Sequence, residues 1–176
     1  MVAHLFACSP PAPLSYAQRP SEAKETILNR TLMRIADHMV DRKRRSAIDP
    51  TQIAADLLPH LFMIDVRWEA ESPTPRLQIR LTGTALDQAF GRALKGRFME
   101  EFMHGPRSAD VLDTFRTCAT DHAPVWMRQI VEIREKPTRY VEGVVFYLDP
   151  DALFGGLVMG EITTKSPASS FERRSL

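Results

Sequence analysis

Between residues 61 and 82 apolar and polar side chains alternate with a period of two. Phe62, Ile64, Val66 and Trp68 fall on one side and Met63, Asp65 and Arg67 on the other, and after the Ser72-Pro73-Thr74-Pro75 turn Leu77, Ile79 and Leu81 alternate with Arg76, Gln78 and Arg80. This is the signature of two half-buried strands joined as a hairpin. Residues 21–43 follow another period. Ile27, Leu28, Leu32, Ile35, Ala36, Met39 and Val40 recur at helical spacing, which predicts one long amphipathic helix with a single apolar stripe. Asp49 and Pro50 predict the N-cap and first position of a short second helix ending near Leu58 and Pro59. The helical period returns over 107–122 through Val111, Leu112, Phe115, Cys118 and Ala119. Segments 124–135, 140–148 and 154–164 read as three further strands, separated by Lys136-Pro137-Thr138 and Asp149-Pro150-Asp151.

The stretch 76–102, RLQIRLTGTALDQAFGRALKGRFMEEF, connects strand to helix through three separated glycines. Gly83 stops the strand, Thr84 is placed to cap a short helix over 85–90, and Gly91 and Gly96 suit positive φ, ending that helix before another short piece at 99–103. The series Gly83, Leu86, Phe90, Gly91, Gly96 and Arg97 resembles a PAS domain, in particular the single-domain PAS-like proteins of alphaproteobacteria, and the likeness spans roughly residues 45–165. It implies an α+β, PAS-like fold: a five-stranded antiparallel sheet with helices on one face, preceded by the long N-terminal amphipathic helix. The expected organisation is a disordered leader at 1–20, the N-terminal helix at 21–45, the PAS-like domain at 46–165 and a flexible tail at 166–176.

Composition narrows the function classes. The chain has 176 residues, 44% hydrophobic and 26% charged, with a formal net charge of +1, values that suit one soluble globular domain and call for neither nucleic acid nor an anionic membrane. The basic run Arg42-Lys43-Arg44-Arg45 reads as a solvated cluster complementing a helix C-terminus. No window reaches the roughly 20 apolar residues that span a bilayer. The leader lacks the basic n-region of a signal peptide, and its two-cysteine chain (Cys8 and Cys118) does not suggest a structural disulfide, so a cytoplasmic setting is expected.

Candidate chemistry is sparse. His4, His38, His60, His104 and His122 show no metal-ligand spacing. The resemblance implies that only His104 and His122 stand where a heme held in such a domain could be reached, and helix-end histidines are usually capping or surface residues. Flavin-binding photoreceptor relatives carry an Asn-Cys-Arg-Phe-Leu segment that the surroundings of Cys118 do not match, so Cys118 reads as a small core residue. No nucleophile elbow, phosphate loop or dinucleotide fingerprint is present, and Asp87 with Arg92 and Glu100 with Glu101 read as solvated charges. We assign no catalytic residue, no metal and no cofactor, and expect a non-enzyme.

Two sets of residues remain. Ile79, Leu81, Gln129, Val131, Val144, Phe146 and Met159 from the strands, with Leu86, Phe90, Phe98 and Phe115 from the helices, are the candidate lining of a ligand pocket on the concave side of the sheet. Ile27, Leu28, Leu32, Ile35 and Met39 form a stripe that either covers the sheet or contacts a second copy in a homodimer. The resemblance implies a standalone regulatory or sensory module of signal transduction, acting through a small ligand or a signalling protein partner. The alternatives are a ligand-free dimeric adapter using the N-terminal helix and a small α+β enzyme of cone-shaped or hot-dog architecture.

Overall fold

The computed structural model describes residues 29–42, 48, 50–103, 108–131, 139–148, 150–161 and 172–175. Helix α1 spans Arg30–Arg42. Strands β1 (Leu61–Arg67) and β2 (Arg76–Thr82) form the expected hairpin, followed by helix α2 (Thr84–Phe90), a single 3-10 turn at Met99–Glu101 and helix α3 (Ser108–Asp121). Strands β3 (Val125–Val131), β4 (Arg139–Leu148), β5 (Ala152–Glu161) and β6 (Glu172–Ser175) complete one antiparallel sheet of order β2-β1-β5-β4-β3-β6. The five expected strands are therefore present, with helices between the second and the third. The sixth corrects the expectation of a frayed tail: residues 172–175 pair with Val125–Arg128 of β3, because an edge strand with unpaired N–H and C=O groups accepts even a short charged segment.

The sheet is covered on both faces. α2, the 3-10 turn and α3 pack on the inner face around Phe62, Ile64, Leu77, Ile79, Phe115, Met127 and Leu153. α1 lies on the outer face, where Leu32, Ile35 and Met39 meet Trp126, Val144, Phe146 and Phe154. Within a single chain these three residues are 0%, 2% and 6% exposed, packed against the sheet. Ile27 and Leu28 lie outside the described residues, as do 21–26 and Lys43, Arg44 and Arg45 of the basic run. Arg34 on the wet side of α1 pairs with Asp56 and tethers the helix to the turn that leads into β1. That bond holds the Asp56 carboxyl below its usual range and the guanidinium above its own.

Several local expectations are corrected by the geometry. The segment from Pro50 to His60 is not one helix but two 3-10 turns, Pro50–Gln52 and Leu58–His60, joined by i→i+3 bonds such as Leu57 N–H to the Ala54 carbonyl at 2.9 Å. Pro59 lacks a donor and disfavours helix at the residue before it, which keeps the segment short. At the start of α2 the cap position is Gly83, not Thr84, and no side chain caps it. Glycine is required there by contact: a Cβ would run into the carbonyl oxygens of Leu58 and Pro59. Gly91 (φ 72°) and Gly96 (φ 82°) do adopt the left-handed conformation anticipated for them. The helix expected at 99–103 is only the 3-10 turn.

Candidate functional site

The inner face is built by a strand edge that is deliberately closed. Asp87 on α2 accepts hydrogen bonds from the Thr82 hydroxyl (2.7 Å) and from the backbone N–H of Leu94 (3.2 Å). Its own carbonyl accepts from Arg92 N–H at 3.0 Å. The chain after Gly91 is thereby folded back along β2, where Gly96 N–H donates to the Ile79 carbonyl (2.7 Å) and Ile79 N–H donates to the Arg97 carbonyl (2.8 Å). The free edge of β2 is thus sealed by residues 96–98, and Leu94 and Met99 are driven into the core at 2% and 4% exposure. Arg116 of α3 then locks the corner, donating to Glu100 Oε1 at 3.0 Å and to the Pro75 carbonyl at 3.3 Å. Asp87 and Glu100, read from sequence as solvated charges, are committed to holding this wall.

Between wall and sheet the packing is graded. Phe62 and Phe115 are buried with ring centroids 5.4 Å apart. Phe90, Phe102, Met103, Tyr147, Leu157 and Met159 border the same core but are only partly buried. Phe90 and Phe102 meet edge to face at 5.5 Å, and the Arg92 guanidinium stands 5.6 Å from the Phe102 ring. Such a partly exposed apolar surface, continuous with a core, has the chemistry that a small apolar ligand could meet.

Of the sequence-predicted lining, Ile79, Leu86, Phe90, Phe115 and Met159 come together here. Leu81 does not. A β-bulge intervenes, since Met63 pairs with Leu81 but Ile64 pairs with Ile79, leaving Arg80 as the extra residue and turning Leu81 outward at 48% exposure. Val144 and Phe146 face α1 on the outer side. Strand β4 is apolar on both faces through Val141, Val144, Val145 and Phe146, so alternation could not set its phase, and the inward residues are Val145 and Tyr147. Phe98 sits at the β2 edge, bridged to Gln78 and covered by the Arg76 guanidinium at 3.7 Å. Gln129 and Val131 occupy register positions opposite Val141 and Arg139. Leu94 was missed as a wall residue because it lies in the Gly91–Gly96 loop, and Met99 and Met103 because the single turn around them is too short to show a period.

Cys118 is sealed in this core at 0% exposure, its Sγ 3.6 Å from the Val145 carbonyl. Burial, reinforced by the Asp121 carboxylate, pushes its thiol up to about 12, so it is a packing residue and not a nucleophile at neutral pH. Among the described residues no three His, Cys, Asp or Glu side chains group as metal ligands. His122, at the end of α3, stacks its ring on Tyr147, and His104 lies outside the described residues.

An antiparallel sheet whose second strand runs into short, glycine-broken helical pieces packed on one face defines an α+β module. A PAS domain family model matches residues 33–149, more than half of the chain, and the protein belongs to the PAS domain family. Among solved structures the chain is similar to a fungal LOV domain photoreceptor, at 18% identity and a TM-score of 0.43, covering 74% of this chain and 88% of the other. No curated protein matches it in sequence. Among the described residues no helix is long and apolar enough to cross a membrane.

Proposed function

We propose that this PAS domain is a cytoplasmic regulatory module of signal transduction that takes a small, largely apolar ligand at the open end of its inner face and passes the effect to a signalling protein. The observation that carries the reading is the gradient of burial from Phe62 and Phe115, which are 2% and 1% exposed, to the partly buried Phe90, Phe102, Leu157 and Met159. A ligand seated there would bury apolar surface that the chain leaves partly exposed, which favours apolar binding. The module is not an enzyme in this reading, because Asp87, Glu100 and Arg116 around the site are engaged in holding the wall. A ligand-free adapter that dimerises through the α1 stripe is disfavoured by the burial of Leu32, Ile35 and Met39 within one chain.

Native mass spectrometry of freshly purified protein tests the proposal. The expected result is mass beyond that of the polypeptide which disappears on denaturation and is reduced in Met159→Trp, whose indole would occupy the open end. A bare chain under gentle ionisation, in wild type and variant alike, counts against a resident ligand.

A further inference from the structure

At the opposite end of the inner face three aromatic side chains meet around the β4–β5 turn. Trp68, expected from its alternation to be buried, stands 48% exposed just beyond β1, with its indole N–H held by Asp151 Oδ1 at 3.2 Å. Asp151 is itself fixed twice: its carbonyl accepts from Val66 N–H at 2.8 Å and its own N–H donates to the Tyr147 hydroxyl at 3.4 Å. The opposite side of this end is set by His122, whose ring lies parallel to Tyr147 with centroids 3.8 Å apart and planes 8° from each other. His122 (φ 53°) and Asp151 (φ 45°) are the two non-glycine positive-φ positions among the described residues, and Tyr147 meets the ring of the first and the backbone N–H of the second. A large exposed ring held by a hydrogen bond loses less freedom on binding, the property of an anchor residue at an interface.

The charges around it specify the partner. Arg67 and Arg76 are engaged by Asp65 and Glu69 respectively. Asp121, the neighbour of His122, and Glu71, on the turn after Trp68, form no ion pair among the described residues. Aromatic faces beside carboxylates such as those of Asp151 and Asp121 attract guanidinium and ammonium groups. With a formal net charge of +1 on the whole chain, such attraction must come from this local arrangement and not from bulk charge. We propose that Trp68, Asp151, Tyr147 and His122 form a docking surface for an arginine- or lysine-bearing segment of a partner protein. The proposal requires no occupancy of the open end between Phe90 and Met159.

The test uses the full chain and a fluorescently labelled, capped hexa-arginine peptide in about 0.15 M salt, where long-range attraction is screened. The expected results are saturable binding by anisotropy, no binding of the matching hexaglutamate peptide, and quenching of Trp68 emission, which is separable because Trp126, the other tryptophan, is buried. Trp68→Ala should weaken binding about tenfold while Trp68→Phe, which keeps a ring face, stays within about threefold of wild type. Both variants alter an exposed side chain, so their urea midpoints serve as the check on folding. Equal binding by Trp68→Ala, or no binding by wild type, overturns the proposal. So does a Trp68 emission that shifts with protein concentration and ignores the peptide, since the surface would then be a contact between copies of this chain.

Discussion

The two faces of the sheet are buried by different chemistry. On the inner face the described core is apolar, and its polar exceptions are small and satisfied: Thr114 donates to the Asp110 carbonyl at 2.8 Å, and Cys118 lies against the Val145 carbonyl. On the outer face a carboxylate is enclosed. Glu142, 2% exposed, accepts from the Trp126 indole N–H at 2.9 Å and from Arg128 at 3.1 Å. The inner face therefore depends on volume, which a ligand can replace, whereas the outer face depends on polar groups that must all stay partnered. Under the proposed function, that contrast favours the inner face as the adjustable one and α1 as a fixed cover.

The largest effect that could break this comparison is Leu32→Asp combined with Ile35→Asp. Each change puts an unpaired carboxylate where exposure is 0% and 2%, and each should cost at least about 4 kcal/mol, together most of the roughly 5–15 kcal/mol that holds a domain folded. Loss of the cooperative urea transition, followed by far-UV circular dichroism, is expected. A variant that keeps its transition and merely becomes smaller in solution would return the stripe to the dimer interface.

Next in size is Glu142→Leu, which strands the Arg128 guanidinium in a site where it is 12% exposed and leaves the Trp126 N–H unmatched. Breaking a buried pair from one side costs about 3–5 kcal/mol. Adding Arg128→Met should recover part of it, because replacing both charges by apolar groups removes the desolvation penalty that the single change leaves behind. A double-mutant cycle that finds the two sites additive shows that the outer face is held by packing alone, and the contrast between the faces fails.

The fold was legible wherever one period dominated. The hairpin of β1 and β2, the stripe of α1 and the apolar side of α3 were read from spacing, and the glycines at 91 and 96 from backbone chemistry. The candidate site was legible in part, and its misses have identifiable causes. Leu81 was lost to a bulge, which is a property of pairing between strands and leaves no mark on either one. Val144 and Phe146 were misplaced because covering both faces erases the alternation that sets phase. Trp68 followed the alternation of β1 but stands past the strand's end, where sheet parity no longer governs. The strand at 172–175 carries no apolar pattern at all, since Glu172-Arg173-Arg174-Ser175 is specified by the edge it pairs with.

The smallest predicted effect probes the inner face by pH. Cys118 holds its proton up to about 12 in the folded chain, against about 8.5 when unfolded. Below the lower value both states are neutral and the thiol's packing is fully expressed. Between the two values the unfolded chain alone loses the proton, so folding stability falls as pH rises, by about 1.4 kcal/mol per pH unit for this one group. Cys118→Ala removes that dependence and at pH 7.5 should cost about 1 kcal/mol in lost packing. The advantage of wild type over the variant should therefore shrink by about 2 kcal/mol between pH 7.5 and 10, enough to reverse their order in urea titrations. The comparison between the two proteins cancels the lysines and tyrosines that titrate in the same range. A difference that stays constant with pH would show that water reaches Cys118 in the folded state, and with it that the closed end of the inner face is as open as the end at Phe90 and Met159.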